Sequence, residues 1–237
     1  MKKVVLTGGS SGIGKAIVLF LLEKGYEVLF TYHYSQDSAK EIESQYPNAK
    51  AYQIDFTDPS ELLRFSAAIA EFSPDILINN YYSGSFIDTY FHKTETDKFL
   101  HDFKNNIVPT LQITQDCISI FRKKKFGRII NILTSSLKSP AIGTSVYNSN
   151  KAYLQQMSKS WAIENVKFGI TCNSVSPSFI ATDFHKELDE RVKETILSGY
   201  PLKENLKSTD ISNVIELCIN GGKHFNGNHI FLDAAHH

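Results

Sequence analysis

Apolar residues along this chain fall into short continuous runs, separated by longer stretches in which they recur every three or four positions. The short runs at Lys3–Thr7, Glu27–Tyr32, Ala49–Ile54, Asp75–Asn79, Arg128–Leu133, Ile170–Val175 and His229–Leu232 read as strands. Because they do not alternate with polar residues, both faces of each strand need cover, as in a parallel sheet wrapped by helices. Helical periodicity fills the gaps. Gly14–Lys24 stops at Gly25, and Pro59–Phe72 begins on a proline suited to a first helical turn. The alternation predicts an α/β fold: a doubly wound, seven-stranded parallel sheet with helices on both faces. No repeat, low-complexity stretch or linker breaks the pattern, so residues 1–237 read as a single domain.

Composition narrows the partners. The chain has 237 residues, 25 Lys plus Arg against 25 Asp plus Glu, and 42% hydrophobic residues. It has core enough for such a sheet and no net field to attract nucleic acid or an anionic membrane. Arg122–Lys125 is the one dense basic run, and before Gly127 it reads as cations at a helix C-terminus. Cys117, Cys172 and Cys218 form no CxxC pair, which argues against a disulfide framework or zinc site and fits a reducing cytoplasm. The apolar run after Lys2 and Lys3 is too short for a signal peptide. No segment approaches the roughly 18 apolar residues that span a bilayer. The scattered histidines show no metal-ligand spacing, and no metal is assigned.

Two places carry chemistry. The first strand runs into Thr7, Gly8, Gly9, Ser10, Ser11, Gly12, Ile13 and Gly14, and a helix follows. That order holds a pyrophosphate: Gly8 permits a tight turn, Gly12 lets backbone approach phosphate, and Gly14 lets helix and strand pack closely. A dinucleotide site with NAD preference would place a carboxylate after the second strand. Instead the chain reads Thr31, Tyr32, His33, Tyr34, Ser35, so a 2'-phosphate can be held by Thr31, His33 or Ser35, with Lys15 assisting. NADP(H) is expected over NAD(H), though NAD(H) binding is possible. After the third strand, Asp55 can accept from an adenine amino group or cap the helix at Pro59, and Phe56 stands beside it.

The second place is Tyr147 and Lys151, four apart on one face of a long helix. A nearby ammonium favours the phenolate, which predicts a tyrosine pKa drawn down toward neutrality. Eleven to sixteen residues earlier, Asn131 to Ser136 end a strand and bring Thr134, Ser135 and Ser136 to the carboxyl edge of the sheet.

These residues resemble those of the short-chain dehydrogenase/reductase family over essentially the whole chain. The family's TGxxxGxG turn corresponds to Thr7, Gly8, Gly12 and Gly14, and its YxxxK pair to Tyr147 and Lys151. The resemblance implies a Rossmann-type fold and an oxidoreductase that interconverts a carbonyl and a secondary alcohol by hydride transfer. Tyr147 would then be the acid/base and Lys151 its partner. The catalytic hydroxyl would be Thr134, or Ser135 with a one-residue shift. Asn106 would hold a water that links Lys151 to solvent. Asn80 and Tyr81 would flank the cofactor's adenosine ribose, and Pro177, Ile180 and Thr182 would line the nicotinamide. The family also implies a homodimer or homotetramer.

Three departures stand out. Asn79 and Asn80 are followed by bulky Tyr81 and Tyr82 where the family has Ala-Gly. Ser178 follows Pro177 in place of glycine, and Asp233, Ala234 and Ala235 replace Asp-Gly-Gly. The alternative function is therefore a non-catalytic binding or regulatory protein with an impaired cofactor site. The resemblance makes 183–207 a substrate lid. A 3-oxoacyl thioester on a carrier protein, a small polar ketone and a keto-sugar all fit, and Phe86, Tyr90 and Phe91 hint at an apolar wall. Leu154, Met157 and Trp161 are read as core rather than interface.

Overall fold

The structure is a computed structural model that describes residues 1–178, 202 and 206–235. In chain order its elements are β1 (Lys3–Leu6), α1 (Gly12–Glu23), β2 (Glu27–Tyr32), α2 (Gln36–Gln45), β3 (Ala49–Gln53), α3 (Pro59–Phe72), β4 (Ile76–Asn79), α4 (Thr96–Lys124), β5 (Gly127–Ile132), α5 (Ser145–Asn165), β6 (Ile170–Pro177), α6 (Ser208–Asn220) and β7 (His229–Leu232). Each expected strand is present. Thr7, Ile54 and Leu133 fall just past the strand ends, where the chain turns into loops, and β6 runs two residues beyond Val175. The first helix starts at Gly12, inside the glycine turn, rather than at Gly14.

All seven strands are parallel, in the order β3-β2-β1-β4-β5-β6-β7. Strand order reverses between β1 and β4, which opens a crevice above their carboxyl ends. Successive side chains of a strand serve opposite layers. Val4 and Leu6 pack with Ile17 and Leu21 of α1, Ile42 of α2 and Ile215 of α6. Val5 faces the other layer, with Phe65 of α3, Phe121 of α4 and Trp161 of α5. Phe30, Phe65 and Phe121 are fully buried, and burying each such ring contributes about 1.5–3 kcal/mol. Leu154 and Trp161 are buried and Met157 packs on the same cluster, so these three belong to the core.

Local chemistry corrects one expectation: Asp58, not Asp55, caps α3, its carboxylate accepting from the Ser60 N–H at 2.7 Å. The basic run closes the end of α4. Lys124 donates to the Ser73 and Pro74 carbonyls and pairs with Asp75 at 2.8 Å, while Arg122 donates to Asn165. These cations hold the fold together at the edge away from the crevice. Among the described residues no helix is long and apolar enough to cross a membrane.

Candidate active site

A cavity of about 660 Å³ fills the crevice. The turn after β1 forms its floor. Gly8 and Gly12 have φ of +71° and +52°, a region that favours glycine. At Gly14 a Cβ would stand 1.9 Å from the Gly8 carbonyl oxygen, so only hydrogen fits where α1 passes the turn. At Gly9 a Cβ would stand 2.6 Å from the Phe30 Cβ, a second close approach in this turn. The turn is tied down by its neighbours. Asn80 donates to the Thr7 and Gly8 carbonyls, and Thr7 Oγ1 accepts from the backbone of Asn80 and Tyr81. Ser11 at the N-cap makes no capping hydrogen bond, and no acidic side chain occupies the first turn of α1. The helix N-terminus therefore opens into the cavity beside Ser10, Ser11 and Ile13 with its partial positive charge unmatched. The residues present fit a pyrophosphate.

The loop after β2 divides its expected readers. His33 and Ser35 line the cavity. Thr31 does not: it is buried, and its hydroxyl accepts from the Gly8 N–H at 2.9 Å, shaping the turn from below. Lys15 is drawn away to Glu41. Asp55 is engaged by Thr57, whose N–H and hydroxyl both donate to it, and these bonds hold its carboxyl below the usual range. Its other oxygen lies 3.8 Å from His33 Nε2. The Phe56 ring is core, packed against Phe65 and Tyr81, and does not reach the cavity wall. Among the described residues no carboxylate lines the cavity.

At the far end β5 and α5 deliver Thr134, Tyr147 and Lys151 to one wall. The Thr134 hydroxyl, rather than that of Ser135, hydrogen-bonds the Tyr147 phenol. Thr134 is held in turn by the Ser136 N–H at 3.2 Å. Lys151 is 4% exposed and donates to the Ile132 carbonyl at 2.9 Å, with Nζ 5.7 Å from the centre of the Tyr147 ring. Enclosure dominates here. Burial pushes the Tyr147 phenol up, only partly offset by Thr134, and pulls Lys151 down to about 8. The expected lowering of the phenol is therefore not seen, because desolvation of both groups outweighs an ammonium facing the ring.

The two bulky tyrosines take separate partners. Both line the cavity, Tyr81 with its ring tilted against Phe56 at 4.4 Å and Tyr82 edge to face with Tyr147 at 4.8 Å. The Asn106 side-chain amide accepts from the Ser83 N–H and donates to the carbonyls of Ser83 and Asp102, so it pins this loop. Phe86 lines the cavity, whereas Tyr90 and Phe91 are exposed on the surface. Pro177 and Ser178 close the wall at the end of β6. Ile180 and Thr182 lie outside the described residues, as does most of the expected lid.

Residues 2–193 match the short chain dehydrogenase family. The chain belongs to this family. Short-chain dehydrogenases similar to it include an acetoacetyl-CoA reductase of Shinella zoogloeoides, 30% identical over 91% of this chain and 90% of that protein. A 3-oxoacyl-(acyl-carrier-protein) reductase FabG of Staphylococcus aureus is 29% identical over 99% of this chain and 97% of its own length. Among solved structures, ElxO with NADP bound superposes with a TM-score of 0.87 at 27% identity, covering 99% of this chain and 98% of that one. This short-chain dehydrogenase is thus an oxidoreductase with a Rossmann-type sheet. Its site includes residues that sequence reasoning missed: Asp102, one helical turn before Asn106, and Asn150, between Tyr147 and Lys151, which meet Tyr82. Their signal was their spacing from the YxxxK pair and from Asn106. Among the described residues no cluster of His, Cys, Asp or Glu is arranged to hold a metal.

Proposed function

We propose that this chain reduces a carbonyl to a secondary alcohol with NADPH, using Tyr147 as the proton donor. The observation that carries this reading is the meeting of Tyr147, Thr134 and Lys151 in one cavity with the glycine turn. Bound NADPH supplies a hydride to the carbonyl carbon. Tyr147 gives its proton to the carbonyl oxygen, completing the alcohol, and the Thr134 hydroxyl orients that oxygen. Lys151 supplies positive charge behind the phenol as it becomes phenolate, then passes a proton to that phenolate to restore Tyr147 and takes a replacement from solvent. Gly8, Gly12 and the start of α1 would hold the pyrophosphate, and Pro177 would support the nicotinamide end.

Preference for NADPH over NADH is supported by the lack of a carboxylate among the described residues that line the cavity and by His33 and Ser35 at its wall. The substrate class we favour is a 3-oxoacyl thioester, as named for the relatives, with Phe86 as an apolar contact for the acyl chain. Assembly into a dimer or tetramer through α4 and α5 is supported by exposed Leu100, Val108 and Ile163. Three free, buried cysteines accord with a cytoplasmic setting.

The test is loss of NADPH absorbance over a panel of 3-oxoacyl thioesters, small ketones and keto-sugars, with dissociation constants for both cofactors. Turnover by the native chain, abolished in Tyr147→Phe with NADPH binding kept, supports the reading. Silence across the panel, or equal affinity for NADH, defeats the corresponding half of it.

A further inference from the structure

Tyr82 stands where the family pattern places glycine. Its side chain is nonetheless held at both ends. The phenol donates to Asp102 on α4, whose same carboxylate oxygen accepts from the Asn150 amide of α5 at 2.7 Å. Asp102 also accepts, through its backbone carbonyl, from Asn106, which fixes the adjoining Ser83. The Tyr82 ring is thereby locked to the segment of α5 that carries the reacting pair. It meets the Tyr147 ring edge to face at 4.8 Å, with planes at 82°. Its own face stands 5.1 Å from Lys151 Nζ.

We propose that Tyr82, anchored on Asp102, is a positioning residue that orients the Tyr147 ring and shields the Lys151 ammonium from water. The inference rests on the reading of Tyr147 and Lys151 as the reacting pair, and it assigns Tyr82 no contact with the reacting atoms. Aromatic pairs favour the perpendicular arrangement seen, because the positive edge of one ring meets the negative face of the other. A cation over a ring face is stabilised in the same way. The Ile132 carbonyl and the Tyr82 face thus replace the lysine's water shell with fixed partners. Among the described residues, the ionisable groups around Lys151 are Tyr147 on its own helix, Tyr82 from the loop after β4 and, beyond Tyr82, Asp102 from α4. Removal of the ring admits water to an ammonium whose proton affinity is lowered by burial alone.

The experiment is an NMR titration of the full chain labelled at lysine Cε, without cofactor, with the Lys151 signal assigned by Lys151→Arg. Native protein is compared with Tyr82→Phe, which keeps the ring, and Tyr82→Gly, which restores the family's residue. Thermal melts verify folding, and Tyr82→Ala repeats the comparison. The shield predicts that Tyr82→Gly raises the Lys151 midpoint by about one pH unit, while Tyr82→Phe stays near the native value. In NADPH turnover, Tyr82→Gly should lose about tenfold in kcat with the KM for NADPH little changed, and Tyr82→Phe should recover most of the rate. A midpoint unmoved in Tyr82→Gly overturns the proposal, as does Tyr82→Phe moving as far as Tyr82→Gly. If the native chain turns over no carbonyl, carbonyl reduction fails as a reading while the titration still decides the role of Tyr82.

Discussion

Lys151 Nζ donates a 2.9 Å hydrogen bond to the carbonyl of Ile132, joining α5 to the end of β5 at the point where the sheet gives way to the site. This bond keeps a nearly fully buried ammonium in place, and the cost of that burial sets a pH dependence. Lys151 sits at about 8 in the folded chain, below the ordinary lysine value of 10.5, with burial as the cause. Above pH 8 the folded protein sheds this proton while the unfolded chain keeps it up to about 10.5. Over that window the unfolded state binds more protons, so the lysine's penalty on stability is relieved as pH rises and is fully present below it. The size is about 3 kcal/mol across the window. Denaturant unfolding from pH 7 to 10.5 should show native stability gaining on that of Lys151→Met by roughly this amount. Reductive kcat should meanwhile fall through pH 8, because the phenolate loses its countercharge.

The same residues show where sequence reasoning reaches and where it stops. Short continuous apolar runs such as Val4–Leu6 and Ile76–Ile78 mark buried parallel strands because helices cover both faces of the sheet. Tyr147 and Lys151 were legible because helical spacing puts them on one face and the strand end at Thr134 and Ser135 brings hydroxyls beside them. The choice between Thr134 and Ser135 was not, since a short loop can absorb a one-residue shift. Nor were the separate ring partners of Tyr81 and Tyr82, Phe56 and Tyr147, in a loop whose backbone is bound by Thr7 at Tyr81 and by Asn106 at Ser83. The phenol's upward shift escaped for another reason: spacing reports that two groups are near, but not how much water surrounds them.

The glycine turn supports a sharp prediction at Gly14. A methyl group there meets a backbone carbonyl oxygen at 1.9 Å, and backbone cannot step aside as a side chain can. Gly14→Ala must push α1 off the Gly8 turn and break the bonds from Asn80 that brace it. We expect NADPH affinity to fall at least about a hundredfold and stability to fall by about 2 kcal/mol or more. Fluorescence titration and thermal unfolding measure the two separately. Native-like NADPH binding in this variant would remove the turn from the cofactor site.

Beneath the site lies a polar network with no contact to the cavity. Asn79 donates to Asn131 Oδ1 at 2.8 Å and to Thr114 at 3.0 Å, and Asn131 donates to Ser158, which also accepts from Ser174. All five side chains are buried, so each bond lost leaves a polar partner with no water to replace it. Asn131→Ala should cost about 2–4 kcal/mol in denaturant unfolding. Double replacement with Asn79→Ala should cost less than the sum of the singles, because the second change removes a partner already orphaned. Strict additivity would mean the two asparagines act separately.

The departure at the end of the chain has the opposite sign. Ala234 and Ala235 carry φ of +50° and +60°, the left-handed region in which a Cβ crowds its own backbone. They follow Asp233, whose carboxylate pairs with Lys138 at 3.0 Å and accepts from the Ala235 N–H, so the turn is held in this shape despite its residues. Glycine relieves the crowding but adds freedom to the unfolded chain, which returns part of the gain. The net for the double change Ala234→Gly and Ala235→Gly is about 1 kcal/mol of added stability. Thermal unfolding should register a rise of a few degrees, with kcat unchanged because neither residue lines the cavity. A fall in melting temperature would mean that the alanine methyl groups pack well enough to outweigh the backbone penalty.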